Sequence, residues 1–330
     1  MEKYSQFRDR GTGIAPFLPV STPLSLVSTI THTFIFLFRL PFFVAYATSY
    51  FLFFHWLPLP VFARKIALWG LMAIPGIWWV DLQLDGVKRG TLAEQPRDRF
   101  PHPGSVIAAN FTSPIDGIYL AAIFDPIFTV SYPGTRLVQK VGLLGAMARA
   151  LGAVRTEPPA NANLVSIADL LREYPGRVVA VFPECGTTNG KAILPFSPSL
   201  LSAPPDVHIF PVSLRYTPAD VTTPVPGQWL RFLWDLLSRP TTCIRIRVAE
   251  GQVRSTSAGH TSGSGASSAV DGASGGARSR QINDAPISSD EQKVLDRIAE
   301  ALARLSRVKR VGLTMKDKAA FVDAVKGRKR

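Results

Sequence analysis

One apolar stretch, residues 24–57, limits most strongly what this chain can fold into. Arg39 is its only formally charged residue. About 20 apolar residues are enough for a helix to cross a bilayer. Because the stretch has almost no polar face, it predicts a membrane helix. A signal peptide is not expected, since the stretch is too long and follows a mixed-charge segment that contains prolines.

A second apolar run, residues 66–80, leaves the geometry of the membrane segment open. If both runs cross as a hairpin, the basic residues that flank them share the cytosolic side. These residues are Lys3, Arg8, Arg10, Lys88 and Arg89. In a monotopic anchor, three tryptophans would instead lie at headgroup level: Trp69, Trp78 and Trp79. A buried helical hairpin of a soluble protein is the third alternative. The prediction is membrane attachment, with the hairpin preferred.

Charge and cysteine content narrow the possible partners. The net charge is +13, yet the mean hydropathy is +0.15. A chain that is both basic and apolar favours an anionic membrane surface over nucleic acid. The two cysteines, Cys185 and Cys243, imply no disulfide framework and favour a cytosol-facing domain. No Cys or His spacing resembles a metal site, and no metal is expected.

Between residues 80 and 250, strand and helix patterns alternate. Buried strands are predicted at residues 106–109, 127–130, 178–182, 208–214 and 243–248. Helices are predicted at residues 114–123, 136–151 and 162–174. This alternation indicates an α/β sandwich. Chemistry in such folds lies at strand ends.

Two polar motifs fall at such strand ends. Residues 110–116 read Asn-Phe-Thr-Ser-Pro-Ile-Asp, here called the Asn110 motif. Residues 182–191 read Phe-Pro-Glu-Cys-Gly-Thr-Thr-Asn-Gly-Lys, here called the Glu184 motif. Backbone N–H groups in the glycine-containing turn of the second motif are expected to line an anion site. A nucleotide-binding loop is rejected, because the spacing is one residue short and Ala192 replaces the required hydroxyl residue.

Together the two motifs resemble the first and third signature blocks of the glycerolipid acyltransferases. The resemblance implies a mixed-sheet α/β domain that transfers a fatty acyl group from acyl-CoA to a glycerophosphate hydroxyl. In that family the first block reads His, four residues, Asp, and the histidine is the general base. Here Asp116 is present but Phe111 occupies the histidine position. Glu184 matches the glutamate of the third block, with Gly186 and Thr187 one position late.

A narrower resemblance points to the fungal lysophosphatidic acid:oleoyl-CoA acyltransferases. It rests on residues 1–4 and 11–19, on Thr112-Ser113-Pro114, and on Asn189-Gly190-Lys191. That branch tolerates a residue other than His at position 111. The resemblance implies lysophosphatidic acid and acyl-CoA as substrates and no further cofactor. It also implies a location on the endoplasmic reticulum membrane or lipid droplets, with the catalytic domain in the cytosol and protein partners unknown.

The resemblance assigns candidate roles residue by residue. The catalytic candidates are Asp116, Glu184, Thr112 and Ser113. The substrate-binding candidates are Asn110, Phe111, Arg155, Gly186, Thr187, Thr188, Asn189, Gly190 and Lys191. One hypothesis is that Asp116 or Glu184 accepts the proton that the missing histidine would take. His102 is interpreted as an exposed loop residue, and Cys185 as a packed or semi-exposed thiol rather than a nucleophile. The alternatives are a pseudoenzyme that binds lipid without turnover and a membrane scaffold.

The remaining composition divides the chain into five parts. A polar segment covers residues 1–23, the membrane segment residues 24–80, and the acyltransferase domain residues 81–251. Residues 252–287 are rich in Ser, Gly and Ala and predict a disordered linker. Residues 288–330 predict a helix that opens with a capping box, followed by a basic tail. A Glu300–Arg304 ion pair is expected on that helix.

Overall fold

The fold of the catalytic region is a mixed α/β sandwich, as predicted. A computed structural model describes residues 2–23, 25–54, 56–58, 60–87, 91–253 and 287–327. Within these residues eight strands form one sheet, in the order β1-β9-β8-β2-β6-β3-β4-β5. They are β1 (Trp79–Leu84), β2 (Val106–Ala109), β3 (Ile127–Ser131), β4 (Val138–Val141), β5 (Leu164–Val165), β6 (Val179–Val181), β8 (Ile209–Thr217) and β9 (Cys243–Val248). A short pair joins β7 (Ala192–Ile193) to β10 (Lys309–Arg310).

The centre of the sheet explains why the two motifs meet. Strand β2 is parallel to both β6 and β8, with Val106 paired to Val179 and to Ile209. Every residue of β2 and β6 is buried, as expected for parallel strands covered on both faces. The Asn110 motif follows β2 and the Glu184 motif follows β6, so both lie at the same edge.

Helices cover both faces of this sheet. They are α1 (Leu26–Ser49), α2 (Val61–Ala73), α3 (Pro114–Phe124), α4 (Leu143–Leu151), α5 (Ile167–Glu173), α6 (Trp229–Ser238), α7 (Ser289–Ser306) and α8 (Met315–Gly327). The predicted helix at residues 136–151 is wrong over its first seven residues. The spacing of Leu137, Val141 and Leu144 is helical, but pairing with β3 overrides it: Val138–Val141 form β4, and Gly142 then caps α4.

The predicted helix at residues 162–174 also begins too early. Residues Leu164–Val165 form β5, which pairs with β4 at the sheet edge. Ser166 then caps α5, with its side chain accepting the Asp169 N–H at 3.0 Å. A serine that satisfies a free N–H group of the first turn is a strong helix start, so the helix covers only Ile167–Glu173.

The N-terminal apolar stretch forms one long exposed helix. Leu26–Phe54, which includes a π-helical last turn at Tyr50–Phe54, is the one described helix long and apolar enough to cross a membrane. The helix continues through Pro41. Helix α2 has 13 residues, about 20 Å at 1.5 Å per residue, and its Leu68, Leu71 and Met72 are buried. The second apolar run therefore packs on the domain and is too short for a span of about 30 Å.

The described N-terminal and C-terminal residues both pack on the α/β domain. Residues 2–23, here called the N-terminal segment, bury Phe7 and Phe17 in a small core shared with α8. Helix α7 begins with the predicted capping box at Ser288. The expected Glu300–Arg304 ion pair is replaced by an ion pair between Arg304 and Asp85, at 2.5 Å.

Most of the predicted basic tail forms a helix, Met315–Gly327, that packs on the domain. It buries Met315, Lys318, Phe321 and Val322, and an apolar face of this kind holds a helix against the domain. Other predictions lie outside the described residues. They concern residues 254–286 of the linker, residues 328–330 of the tail, and Lys88 and Arg89 beside the membrane segment.

Candidate active site

Asn110 joins two strands at the edge where the motifs meet. It follows β2 and is buried. Its side-chain amide donates to the Leu214 carbonyl at 2.9 Å, and its oxygen accepts the Leu214 N–H at 2.7 Å. This pair of bonds imitates a backbone ladder and continues the β2–β8 pairing past the end of β2. Asn110 therefore fixes the start of the motif at the end of β2. Both the donor and the acceptor of its side-chain amide are hydrogen-bonded.

Asp116 is the third residue of α3 and closes the Asn110 motif on itself. Its carboxylate accepts the backbone N–H groups of Thr112 at 2.7 Å and Ser113 at 2.9 Å, as in a capping box. It also accepts the hydroxyls of Thr112 and Tyr216. The side chain is fully buried, and burial raises the pKa of Asp116 to about 6 despite these donors. Because the Asp116 carboxylate accepts these four hydrogen bonds, its role is to hold the Asn110 motif in place.

The two hydroxyl groups of the Asn110 motif are engaged locally. Ser113 caps α3 and donates its hydroxyl to the Val221 carbonyl at 2.8 Å. The Thr112 hydroxyl donates to Asp116 at 3.2 Å, and the Thr112 carbonyl accepts the Thr223 N–H at 2.8 Å. Both residues are buried. In this conformation they shape the motif and present no free hydroxyl.

Phe111, at the position of the family histidine, is part of an aromatic stack. Its ring lies 4.4 Å from that of Phe182, with 26° between the planes. Its carbonyl accepts the Thr188 N–H at 3.0 Å, which links the two motifs directly. A cavity of about 10 Å³ remains beside the stack, bordered also by Arg149 and Cys185. That volume is close to the smallest that holds one water.

Glu184 is the one carboxylate of the site with a free oxygen. Its side chain is 1 % exposed. One oxygen, Oε2, accepts the Leu194 N–H at 3.1 Å, whereas Oε1 has no hydrogen-bond partner within the described residues. Burial raises the pKa of Glu184 to about 8, against the lowering effects of the nearby Leu194 and Phe111 N–H groups. A buried polar atom without a partner is uncommon in folded proteins, which makes Glu184 the strongest candidate for chemistry.

The anion site expected in the Glu184 motif is largely absent from the described residues, because the turn satisfies its own N–H groups. Thr188 N–H donates to the Phe111 carbonyl and Asn189 N–H to the Pro16 carbonyl. The N–H groups of Gly190 and Lys191 donate to side chains of the turn itself. Only the N–H groups of Gly186 and Thr187 remain without such a bond in the described part of the turn. Within the described turn, the predicted anion site is therefore reduced to the backbone N–H groups of Gly186 and Thr187.

The rest of this turn is tightly constrained. Cys185 adopts φ +61°, a strained left-handed conformation for a residue with a Cβ. Burial raises the pKa of its thiol to about 12, so it is a packed thiol, as predicted. The Thr187 hydroxyl donates to the Thr223 carbonyl at 2.5 Å. Asn189 donates to the carbonyls of Ala15 and Leu18, both at 2.8 Å. Asn189 thereby holds the N-terminal segment against the motif.

Two cations that the sequence did not indicate lie against this turn. Arg149, from α4, donates to the Cys185 carbonyl at 3.2 Å and to the Arg155 carbonyl at 3.1 Å. Lys318, from α8, donates to the Thr187 carbonyl at 2.6 Å and to its hydroxyl at 3.1 Å. The side chain of Arg155 is exposed. A guanidinium thus reaches the motif from position 149, six residues before the predicted Arg155.

Two further candidates lie away from the buried cluster. Lys191 is exposed at the end of the Glu184 motif. His102 precedes β2 and contacts the Phe100 carbonyl at 3.1 Å, at the opposite end of that strand from Asn110. His102 therefore does not replace the missing histidine. No group of three or more His, Cys, Asp or Glu side chains in the described residues is arranged to hold a metal ion.

Comparison with known proteins agrees with this arrangement. Residues 93–215 match the family model described as Acyltransferase, a region that contains both motifs. The chain therefore has an acyltransferase domain. It is 28 % identical, over 75 % of its length and 83 % of the relative, to a Schizosaccharomyces pombe protein named "Putative lysophosphatidic acid:oleoyl-CoA acyltransferase". It is 24 % identical to "Lysophosphatidic acid:oleoyl-CoA acyltransferase 1" of Saccharomyces cerevisiae, over 60 % of the chain and 61 % of the relative. No solved structure matches significantly.

Proposed function

We propose that this chain, which carries an acyltransferase domain, transfers a fatty acyl group from acyl-CoA to the free hydroxyl of lysophosphatidic acid. The names of both relatives specify this acceptor and oleoyl-CoA as donor. The proposal also includes membrane attachment through Leu26–Phe54, a helix with largely exposed apolar residues. Location on the endoplasmic reticulum or lipid droplets follows from the same resemblance.

The observation that carries the proposal is the meeting of the two motifs around a single free carboxylate oxygen. The Thr188 N–H to Phe111 carbonyl bond joins the motifs at 3.0 Å. Glu184, with its unpartnered Oε1, lies in the same buried cluster as Asp116, whose charge raises the pKa of Glu184. On this basis Glu184 is proposed to take the proton in place of the missing histidine.

In the proposed reaction Glu184 is the proton acceptor. The acceptor hydroxyl gives its proton to Oε1 as its oxygen bonds to the thioester carbon. The carbon–sulfur bond then breaks, and the proton passes to the CoA thiolate. Asp116 keeps its four hydrogen bonds and positions the Asn110 motif. A base with a pKa near the working pH is effective in both directions of such a transfer, and the pKa of Glu184 is about 8.

The phosphate of the acceptor is proposed to lie near the N–H groups of Gly186 and Thr187, where the Arg149 guanidinium reaches the neighbouring Cys185 carbonyl at 3.2 Å. Arg149 Nε is buried without a hydrogen-bond partner in the described residues. The cavity of about 10 Å³ beside Phe111 is too small for a substrate. The proposal therefore includes a movement of the Phe111–Phe182 stack when substrate binds.

The test is acyl transfer by the purified full chain in detergent or lipid vesicles. Oleoyl-CoA is supplied with lysophosphatidic acid, lysophosphatidylcholine or lysophosphatidylethanolamine, and products are measured by mass spectrometry. The proposal expects phosphatidic acid as the main product. Preference for a zwitterionic acceptor would reject the phosphate assignment. A folded chain that binds lysophosphatidic acid without turnover would instead support the pseudoenzyme, which the packed Phe111 ring favours.

A further inference from the structure

The N-terminal helix, α1 with its π-helical last turn, packs on the domain along one face for most of its length. His32 and Tyr50 are buried. Between them, the Phe36 ring lies 4.9 Å from a tryptophan ring of α6, and the Tyr46 hydroxyl donates to a carbonyl of α2 at 3.0 Å. These positions share one helical face, because residues three or four apart are neighbours on a helix. From His32 to Tyr50 the packed face covers about 27 Å at 1.5 Å per residue.

Arg39, the one formally charged residue of α1, is part of this packed face. Its guanidinium donates to the carbonyls of Pro75 at 3.0 Å, Arg239 at 2.5 Å and Pro240 at 2.9 Å. Arg239 and Pro240 follow the last turn of α6, where free carbonyls carry partial negative charge and favour a cation. Position 39 is near the middle of Leu26–Phe54, so in a spanning helix these loops would enter the hydrocarbon with it. Loop backbone surrounded by lipid does not occur at that depth.

The segments before and after this helix both contact the same domain. Just before α1, Thr22 donates its N–H and its hydroxyl to Asp220 at 3.2 and 2.8 Å. After it, Leu68 and Leu71 of α2 are buried in the main core. A single span would place the N-terminal segment and the α/β domain on opposite sides of the bilayer. Because both flanking segments contact one domain, the two ends of the helix lie on the same side.

The opposite face of α1 is apolar and uncovered within the described residues. Ile30, Phe34 and Leu37 are all exposed there. Neighbouring elements add further exposed apolar side chains. The largest of these are Phe62 of α2, Trp78 and Trp79 at the start of β1, and Trp229 and Leu230 at the start of α6. An exposed apolar surface of this extent marks an interaction site.

The helices that carry this surface lie on one side of the sheet. In β2, Ile107 belongs to the core that α2, α3 and α6 cover, whereas Val106 belongs to the core that α5 and α7 cover. Neighbouring residues of a strand point to opposite faces, so α2 and α6 are on the side away from α7. Ile287, an exposed apolar residue just before α7, therefore provides a reference on the far side.

We infer that α1 lies along the membrane surface and does not cross it, with its outer face and the start of α6, Trp229 and Leu230, in contact with lipid. The inference rests on the membrane attachment included in the proposed function and gives its geometry, which differs from the predicted hairpin. Lipid is the occupant that composition favours. A net charge of +13 attracts anionic headgroups, and tryptophan side chains are enriched at the membrane–water interface. A helix whose apolar face is buried at this interface attaches a protein without a span.

The first experiment locates the start of α1 relative to the domain. The full chain is expressed with Cys243→Ser, because Cys185 is buried, and a single cysteine is added as Ser21→Cys or as Lys316→Cys. Both positions are exposed, and Lys316 marks the domain side. Sealed microsomes from the expressing cells are treated with a membrane-impermeant maleimide. The two variants should be labelled alike, with and without detergent. Labelling of Ser21→Cys only after detergent, when Lys316→Cys is labelled before it, would overturn the inference.

The second experiment tests lipid contact at α6. Leu230→Cys and Ile287→Cys, in the same background, carry a spin label on the purified full chain bound to vesicles of phosphatidylcholine and phosphatidylserine. The label at position 230 should be relaxed more strongly by oxygen, which concentrates in lipid, than by a water-soluble nickel complex. The label at position 287 should show the reverse. Equal behaviour of the two labels would overturn lipid contact at α6. Shielding of position 230 from both reagents would also overturn it, and would assign this surface to a second copy of the chain or another protein.

Both readouts are independent of turnover. A chain that transfers no acyl group but gives the expected labelling would reject the proposed reaction and leave the inference standing. A chain whose two ends of α1 lie on opposite sides would overturn the inference and leave acyl transfer and membrane attachment standing. A chain that does not remain with the membranes would overturn both the inference and the attachment.

Discussion

Replacing Glu184 with glutamine tests the proposed base while preserving its shape. Burial raises the pKa of Glu184 from 4.5 to about 8. Each pH unit corresponds to about 1.4 kcal/mol, so ionising this group in the fold costs up to about 5 kcal/mol more than in the unfolded chain. Between pH 4.5 and 8 the folded state retains a proton that the unfolded chain has released. Wild-type stability should therefore fall as pH rises through this window.

The contribution of Lys318 to stability depends on pH in the opposite direction from that of Glu184, so the two must be considered together. Burial lowers the pKa of Lys318 from 10.5 to about 7. Between these values the unfolded chain binds the extra proton, so stability rises with pH. The wild type should be least stable near pH 7 to 8, where the two windows overlap. Glu184→Gln removes only the first effect, and its stability relative to the wild type should increase steadily from pH 5 to 8.

The assay is thermal unfolding of wild type and Glu184→Gln at pH 5, 6.5 and 8, followed by acyl transfer at pH 8. The difference in melting temperature should widen toward pH 8 in favour of the variant. Acyl transfer should drop by roughly 10² to 10⁴, the usual effect of losing a general base. A melting difference that does not change with pH would refute the burial argument, and retained activity would refute the catalytic role.

Three further perturbations test the surrounding account. Asp116→Ala leaves its hydrogen-bond donors without an acceptor, so we expect about 1–3 kcal/mol of lost stability or more and strongly reduced acyl transfer; wild-type activity would contradict the positioning role. Gly186→Val should push the Met315 side chain out of its place against the Glu184 motif, because even a Cβ at Gly186 would lie 2.5 Å from the Met315 methyl; the melting temperature should then fall, and a wild-type melting temperature would count against this packing. Phe34→Arg, at a side chain that is 72 % exposed, should weaken vesicle flotation, since arginine at a helix centre costs about 2.5–3.5 kcal/mol in a bilayer; unchanged flotation would contradict lipid contact at the outer face of α1.

Local sequence signals predicted the elements that position the site. The strand Cys243–Val248 and the helix start at Pro114 lie where the sequence placed them, because their apolar patterns and capping residues act over a few neighbours. The two motifs meet because β2 and β6 are parallel and end at the same edge of the sheet. The helix predicted at residues 136–151 was wrong in part, because pairing of Val138–Val141 with β3 overrides the local helical spacing.

The features that the sequence did not reveal depend on long-range packing. Lys318 lies 131 residues beyond Thr187, and no local pattern distinguishes it from the exposed Lys316. Arg149, within α4, contacts the Cys185 carbonyl 36 residues further along the chain, a separation that no local sequence pattern spans. The hydrogen bonds donated by the Thr188 and Asn189 N–H groups likewise depend on distant carbonyl acceptors, one in the Asn110 motif and one in the N-terminal segment.

The most direct test of the account is phosphatidic acid formation by the purified chain from oleoyl-CoA and lysophosphatidic acid, measured from pH 6 to 9 beside Glu184→Gln. The account predicts a product that requires both substrates, a rate that rises with pH to a midpoint near 8, and almost no product from the variant. Equal rates in wild type and variant, or no product from a folded chain that still binds both substrates, would contradict it.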